Sequence, residues 1–487
     1  MIRYSLIAAV GMIWLSNSIA QSAYELANAS FESPLAADDV IVGWDIREYG
    51  HTVERDFQTK QEGEASLKVM SGVNPQTTVV RQEIPSALIQ ERAYALSGHV
   101  KTEELHGAAW LTVIINRLGG RRYVDWMRDR SATGSTEWTI LRLNVPRFSD
   151  AESVFVGVVV SGSGTAWFDA LDLTPIQPNN APSAEASRYL EAALDIMQQH
   201  SINREQVDWE SLRRETRIAA SGTSTAEETY PAIGFALHML GDNHSALLRP
   251  DDASKLFSAE SESSEIPKWN PSQGLLLFNR FGYVTVPAFQ GLNPNRLTRY
   301  ANELQDVIEK LDSKDVCGWI VDLRQNTGGN VFPMIAGIGP ILGEGSAGGG
   351  INANGEKFLK SYTNGSSGRA AVSRVPYTLI NSVPPVAVLI GPSTGSSGEA
   401  VTVAFIGRLE TKTFGQPSAG VTTGNSGFPL EDGAILFLAV TTMIDRTGRL
   451  YGGKIEPDVA ICGDQSQDPL TDETVLAAVD WLKTKCD

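Results

Sequence analysis

Short alternating segments fill the first third of the chain. AAWLTVIINRL, TEWTILRLNV and AESVFVGVVVSG each switch between apolar and polar positions, with turn residues between them. This period-two pattern, from about Tyr24 to Ile176, predicts an antiparallel β-sandwich. The texture changes at IQPNNAPSAEAS, which reads as a linker, and SRYLEAALDIMQQH and AEETYPAIGFALHML then carry apolar residues at helical spacing. From Gly274 the pattern becomes α/β. LLLFNRFGYVTVPAF predicts a hairpin and ANELQDVIEKLD an amphipathic helix. VCGWIVDL and PPVAVLIG read as buried strands, each followed by a Gly-rich turn and a helix, NVFPMIAGIGPIL and GEAVTVAFIGR. Strand, turn and helix in that order, twice over, predict parallel crossover units. SAESESSE and GEGSAGGGINANGE read as exposed loops.

The N-terminus stands apart. In MIRYSLIAAVGMIWLSNSIAQS, Arg3 precedes an apolar run, Leu6 to Leu15, that is too short for a bilayer span, and Ser18-Ile19-Ala20 forms a small-x-small site. This reads as a signal peptide over residues 1–20, and hence as export to the periplasm or the extracellular space. No cysteine follows the cleavage site, which argues against a lipid anchor, and no later stretch has the ~18 apolar residues of a membrane span. The expected organisation is residues 1–20 signal peptide, 21–178 β-sandwich, 179–265 helical segment and 266–487 α/β core. A length of 487 residues suits several cores better than one.

Charge narrows the partners. A net charge of −17 without a basic cluster disfavours nucleic acid. Of three cysteines, Cys317 lies in the apolar run VCGWIV and reads as an inert core thiol. Cys462 and Cys486 bracket the C-terminal helix and are a pair that an exported protein could join. There is no HExxH and no paired CxxC to suggest zinc.

The chemistry centres on GPSTGSSGEAV. Ser396 falls in the turn between a buried strand and a helix, where unpaired N–H groups and the helix dipole favour developing negative charge. The same position suits an ordinary N-cap. The stretch is not a GxSxG elbow, because Thr394 stands two before Ser396. A nucleophilic serine needs a base. His51, His99 and His106 fall in the sandwich, His200 ends a polar helix, and His238 lies inside FALHML; His244, in the polar turn GDNHSALL, is the best placed. A second Gly-rich turn, DLRQNTGGN, follows another buried strand, and its Gly328 and Gly329 permit close backbone approach. Asp322 and Arg324 read as a pair holding that loop.

GDNHS, DLRQNTGG, PSTGSSGEA, FGQPSAG and GGKIEPD, in this order, resemble the tail-specific, or C-terminal-processing, serine peptidases, over about residues 185–482. The lead-in VDWESLR resembles the tricorn-type branch. The resemblance implies a crotonase-like α/β core and no cofactor for catalysis. It places the nucleophile three residues before an acidic residue, which gives Ser396 from Glu399. It also implies an oxyanion hole from the N–H groups of Ser397 and of Gly328 or Gly329. The lysine base of the tail-specific branch has no counterpart, since that position is Val421; the histidine of the tricorn-type branch has one in His244. Where tricorn has a serine before its histidine this chain has Asn243, and in place of the supporting glutamate it has Tyr451. Glu399, Glu456, Asp458, Asp445, Tyr451 and Asn243 therefore stand as candidates for orienting His244. The stretch between His244 and Gly274 is too short for the family's PDZ domain.

NASFE, GEASLKV, YALSGHVKTEEL and GTAWFDALDLTP resemble galactose-binding-like jelly rolls, including carbohydrate-binding modules. That resemblance implies a structural Ca2+ held by Glu32 and Asp169, and a sugar platform among Trp44, Trp110, Trp126, Trp138 and Trp167. Core packing is the competing expectation for each tryptophan. A module of this kind could equally shield an active-site mouth or mediate oligomerisation. The function expected from the sequence is thus an exported serine endopeptidase acting on peptides or proteins. Its rivals are an acyl esterase or amidase acting on small substrates, and a non-catalytic protein that binds glycans or apolar ligands.

Overall fold

A computed structural model describes residues 24–486, apart from 34–40, 48–49, 126, 128–129, 178–179, 258–268, 315, 464–465 and 467. The segment expected to be a signal peptide, residues 1–20, lies outside the described residues, as do Trp126 and the SAESESSE stretch. The chain divides into two compact units, Met1–Asn180 and Ala181–Asp487.

The first unit is β-rich. Its strands form an eight-stranded sheet in which every pairing is antiparallel. Two long strands, Tyr94–Arg117 and Ala151–Pro175, pair along most of their length and change register at bulges such as Ser97/His99 and Glu103/His106. Bulges let one strand bend enough to serve both faces of a core. Trp44, Trp110 and Trp167 are buried in that core, and Trp138 is half-buried. Packing, not a sugar platform, therefore occupies the first three.

Glu32 and Asp169 behave differently from the expected calcium ligands. Asp169 accepts the N–H groups of Gln61 and Glu62, and Glu32 accepts those of Glu64 and Ala65. Donors aimed at both carboxylates tie the 61–65 loop down directly and do not fit a cation. Among the described residues there is no cluster of three or more His, Cys, Asp or Glu side chains that could hold a metal ion.

The second unit starts with three helices, Ala184–His200, Trp209–Ala219 and Tyr230–Leu240. They lead into a six-stranded sheet whose spatial order is Gly274–Leu277, Phe281–Thr285, Gly318–Asp322, Val386–Ile390, Thr411–Gly415 and Val459–Ala460. The first two strands make the expected hairpin, and every later pairing is parallel. Gly318–Asp322 and Val386–Ile390 are buried at every position, which is why they read as unbroken apolar runs. Helices Val331–Leu342 and Ser397–Phe405 follow these two strands. The adjacent parallel strands therefore deliver their Gly-rich turns to the same sheet edge.

A second sheet is antiparallel, in the order Lys357–Tyr362, Gly345–Asn352, Ile435–Ile444 and Thr423–Pro429. Ala246–Leu248, from the segment after the three helices, also pairs with Ile435–Ile444. GSAGGGIN is thus a strand, not the expected exposed loop, and its middle is buried. A side chain on Gly349 would lie 2.3 Å from the Phe358 carbonyl oxygen, so the small residues reflect close backbone approach.

The cysteine pairing also differs from expectation. Cys317 is bonded to Cys486, and Cys462 is free and exposed. The C-terminal helix Glu473–Cys486 lies against Gly318–Asp322, which brings its last turn to the start of that strand. Among the described residues, no helix is long and apolar enough to cross a membrane.

Candidate active site

His244 owes its place to a carboxylate two residues earlier. The helix Tyr230–Leu240 stops at Gly241, and Asp242 Oδ1 then accepts the N–H groups of His244 (2.8 Å) and Ser245 (2.6 Å). Asp242 Oδ2 accepts the Ser245 hydroxyl at 2.7 Å, and that hydroxyl oxygen accepts the N–H of Ala439. Local turn chemistry thereby fixes the histidine to the antiparallel sheet. Asn425 adds a second tie by donating its Nδ2–H to the His244 carbonyl oxygen at 2.8 Å.

Ser396 is held from the other side. Gly395 donates its N–H to the Asn326 carbonyl oxygen (3.0 Å), and the Thr394 hydroxyl donates to that of Leu323 (2.9 Å). The two Gly-rich turns are therefore bonded to each other. Ser396 has φ 50° and ψ −112°, far from the extended conformation usual at an N-cap. A non-glycine residue in that region is strained, and strain of this kind is held only where surrounding bonds over-determine it. Here Glu399 Oε2 accepts the Ser396 N–H at 2.9 Å.

The outcome is a hydrogen-bonded row. The Ser396 Oγ lies 3.0 Å from His244 Nε2, across 152 residues of sequence, and His244 Nδ1 lies 2.6 Å from Thr423 Oγ1. Burial pushes the imidazole pKa down, and the charge of Asp242 pulls it up only in part. A neutral imidazole beside a hydroxyl can accept its proton.

None of the proposed orienters Glu399, Glu456, Asp458 and Tyr451 touches the ring. Glu399 is fully buried and takes four donors: the N–H groups of Ser396, Gly420 and Val421, and the Ser418 hydroxyl. Burial raises its pKa against the pull of those bonds. Its work is to join the serine turn to the 418–421 turn. Tyr451 donates to Asp445 (2.8 Å), Asp458 accepts from Thr413 (2.8 Å) and Glu456 is exposed. Thr423, the residue that does meet Nδ1, was missed because a threonine in a strand carries no distinguishing sequence signal.

The oxyanion candidates separate in a similar way. The Gly328 N–H is donated to Asn326 Oδ1 at 3.0 Å, which commits it to its own loop. The N–H groups of Ser397 and Gly329 have no acceptor among the described residues, and Ser397 opens the helix, where donors are free and the dipole is positive. The Ser397 hydroxyl donates to the Gly329 carbonyl oxygen at 2.5 Å, which brackets these two residues together. Gly328 has φ +112°, and a Cβ there would sit 2.8 Å from the Ser396 Cβ. Gly328→Ala is accordingly expected to lower kcat/KM by about 10- to 100-fold, the scale of a displacement near 1 Å at a reacting group. Steady-state kinetics with a thermal unfolding control would test this.

Comparison with known proteins fits this geometry. Residues 280–461 match the sequence profile of peptidase family S41, a span that holds Ser396, Thr423 and both Gly-rich turns, with His244 upstream of it. The nisin-resistance protein of Lactococcus lactis subsp. lactis is 29% identical over 301 residues, covering 61% of this chain and 87% of that protein. A lipoprotein structure from Streptococcus agalactiae is 25% identical with a TM-score of 0.52, covering 62% of this chain and 97% of its own. The first unit has a weak likeness to the CBM22-1 xylan-binding domain of Paenibacillus barcinonensis Xyn10C, with 16% identity and a TM-score of 0.24 over 31% of this chain and 92% of that domain. The chain carries a peptidase family S41 domain, the core of a serine peptidase.

Proposed function

We propose that the chain is an exported serine endopeptidase that cleaves peptide bonds through an acyl-enzyme, with Ser396 as nucleophile and His244 as proton carrier. The observation that carries this reading is the 3.0 Å contact between Ser396 Oγ and His244 Nε2. His244 takes the hydroxyl proton as the Oγ–carbon bond forms, and the carbonyl oxygen becomes an oxyanion facing the N–H groups of Ser397 and Gly329. The proton then passes to the amide nitrogen, the carbon–nitrogen bond breaks and the amine leaves. Water, deprotonated by the same imidazole, hydrolyses the ester. This chemistry uses no cofactor.

Export rests on the signal-like residues 1–20, and the Cys317–Cys486 disulfide supports an oxidising compartment. The first unit is read as a jelly-roll module and the second as a crotonase-like core. Nisin is the first peptide to try, because a relative is named for resistance to it. Casein serves as a general protein substrate, and p-nitrophenyl acetate tests the esterase alternative. Cleavage of casein or nisin by the wild type and not by Ser396→Ala is the expected result. Turnover of the acetate without cleavage of either would replace the peptidase reading with an esterase.

The pH profile is a separate check. His244 must be neutral to accept a proton, and burial moves its pKa below the ordinary imidazole value of about 6.5. Activity should therefore hold at pH 6.5 and fall on an acid limb lying below it. A limb above pH 7 would contradict the buried, weakly compensated imidazole.

A further inference from the structure

Two hydroxyl groups flank one imidazole, and which of them donates decides whether the site can work. Ser396 meets Nε2 and Thr423 meets Nδ1. A neutral ring carries one proton. With the proton on Nε2, the ring donates to Ser396 and can take nothing from it. With the proton on Nδ1, the ring donates to Thr423 and keeps a lone pair toward the serine.

We infer that Thr423 is the positioning residue of the Ser396–His244 pair: its hydroxyl oxygen takes the Nδ1 proton and so holds Nε2 free to accept from the serine. The inference rests on the proposed peptidase mechanism and adds a residue that the family-based reading did not supply. The position is built for the task. Thr423 opens the strand Thr423–Pro429, which pairs with Ile435–Ile444 from Thr423↔Thr442 onward. The same strand sends Asn425 to the His244 carbonyl oxygen. One strand thus grips the histidine by both its ring and its main chain. Thr423 is half-buried, so its own hydroxyl hydrogen can turn to water while the oxygen accepts.

Thr423 differs from the carboxylate usual at this place in being uncharged. The charged or titratable group acting on the ring is Asp242, in the turn before it; Ser396 on the serine helix and Thr423 and Asn425 on the strand contribute dipoles only. The imidazolium formed during turnover is then held by a hydroxyl dipole and the Asp242 charge, with no carboxylate bonded to the ring, which suits prompt return of the proton to the leaving amine.

The experiment uses the full chain and a fluorophosphonate. In that reaction the Ser396 Oγ–phosphorus bond forms, the phosphorus–fluorine bond breaks, fluoride leaves, and the serine proton passes through His244 to solvent. Thr423→Val removes the acceptor at nearly constant volume, and Thr423→Ser restores it. Labelling by Thr423→Val should be about 10- to 100-fold slower, with Thr423→Ser within about threefold of wild type. Removing the acceptor of the Nδ1 proton also destabilises the imidazolium, so the acid limb of Thr423→Val should move to lower pH. Nitrogen-15 NMR should find neutral His244 protonated at Nδ1 in the wild type and at Nε2 in Thr423→Val. A Thr423→Val protein that labels at the wild-type rate overturns the inference. So does slower labelling with an unmoved acid limb and no rescue by serine, or a wild-type ring protonated at Nε2. If Ser396→Ala and His244→Ala label as fast as wild type, the mechanism itself has failed, a result distinct from failure at Thr423 alone.

Discussion

Ser396→Ala and His244→Ala should each lower kcat/KM on peptide substrates by about 10⁴- to 10⁶-fold, the scale on which members of a serine–histidine unit fail singly. The double variant should be little worse than either one. The two side chains make one transition state between them, and once one is gone the other has nothing to act on. A residual rate above that in water should survive in all three variants, because the N–H groups of Ser397 and Gly329 are main-chain atoms that neither change removes. Strict additivity of the two losses would mean that the 3.0 Å contact is not used in the reaction. Circular dichroism and thermal melts would show whether the fold persists; Ser396 is strained in φ, so alanine there relieves nothing and adds no bulk.

The second large effect is on stability. Arg324 lies buried between two carboxylates: its guanidinium donates to Asp322 at 2.7 Å and to Asp472 at 2.8 Å. Tyr283 completes the group by donating to Asp322 at 2.7 Å. Burial works against the guanidinium charge, and the two carboxylates outweigh it, so its pKa is raised. Arg324→Leu leaves both carboxylates buried without their cation and should cost about 3–5 kcal/mol in urea unfolding. Asp472 also accepts the Val475 N–H at the start of the C-terminal helix, so that helix should loosen first. Adding Asp322→Asn and Asp472→Asn to Arg324→Leu should recover most of the loss, because the penalty comes from unpaired charge. A triple variant as unstable as the single one would show that the arginine acts through packing instead.

The serine, the histidine and the two Gly-rich turns were legible in sequence for a physical reason. Parallel strands buried on both faces leave unbroken apolar runs such as VAVLI, and the turns at their ends stand out against them. With valine at 421 where the tail-specific branch has lysine, His244 in its polar turn is left as the base. Thr423 was not legible: it reaches the ring across 179 residues, through a sheet register that no local pattern encodes. Glu399 was legible as a marker of the serine but only as one candidate orienter among several, since its four bonds depend on how the 418–421 turn folds back. The glycine-rich strand Gly345–Asn352 looked like a loop because composition reports flexibility, whereas close packing between Lys357–Tyr362 and Ile435–Ile444 demands the same residues. The disulfide was mispaired because the spacing of three cysteines does not reveal which strand the last helix lies against.

The row of Thr423, His244 and Ser396 joins one histidine to two residues that lie 152 and 179 positions further along the chain. No single helix, hairpin or crossover unit contains two of its members, so nothing short of a chain with both sheets closed can hold them in line. Contacts this remote in sequence form late, after loop-closure entropy has been overcome. Reactivity at Ser396 is therefore a reporter of finished tertiary structure: far-UV ellipticity registers helices and strands as they appear, while the serine registers only a fully assembled unit.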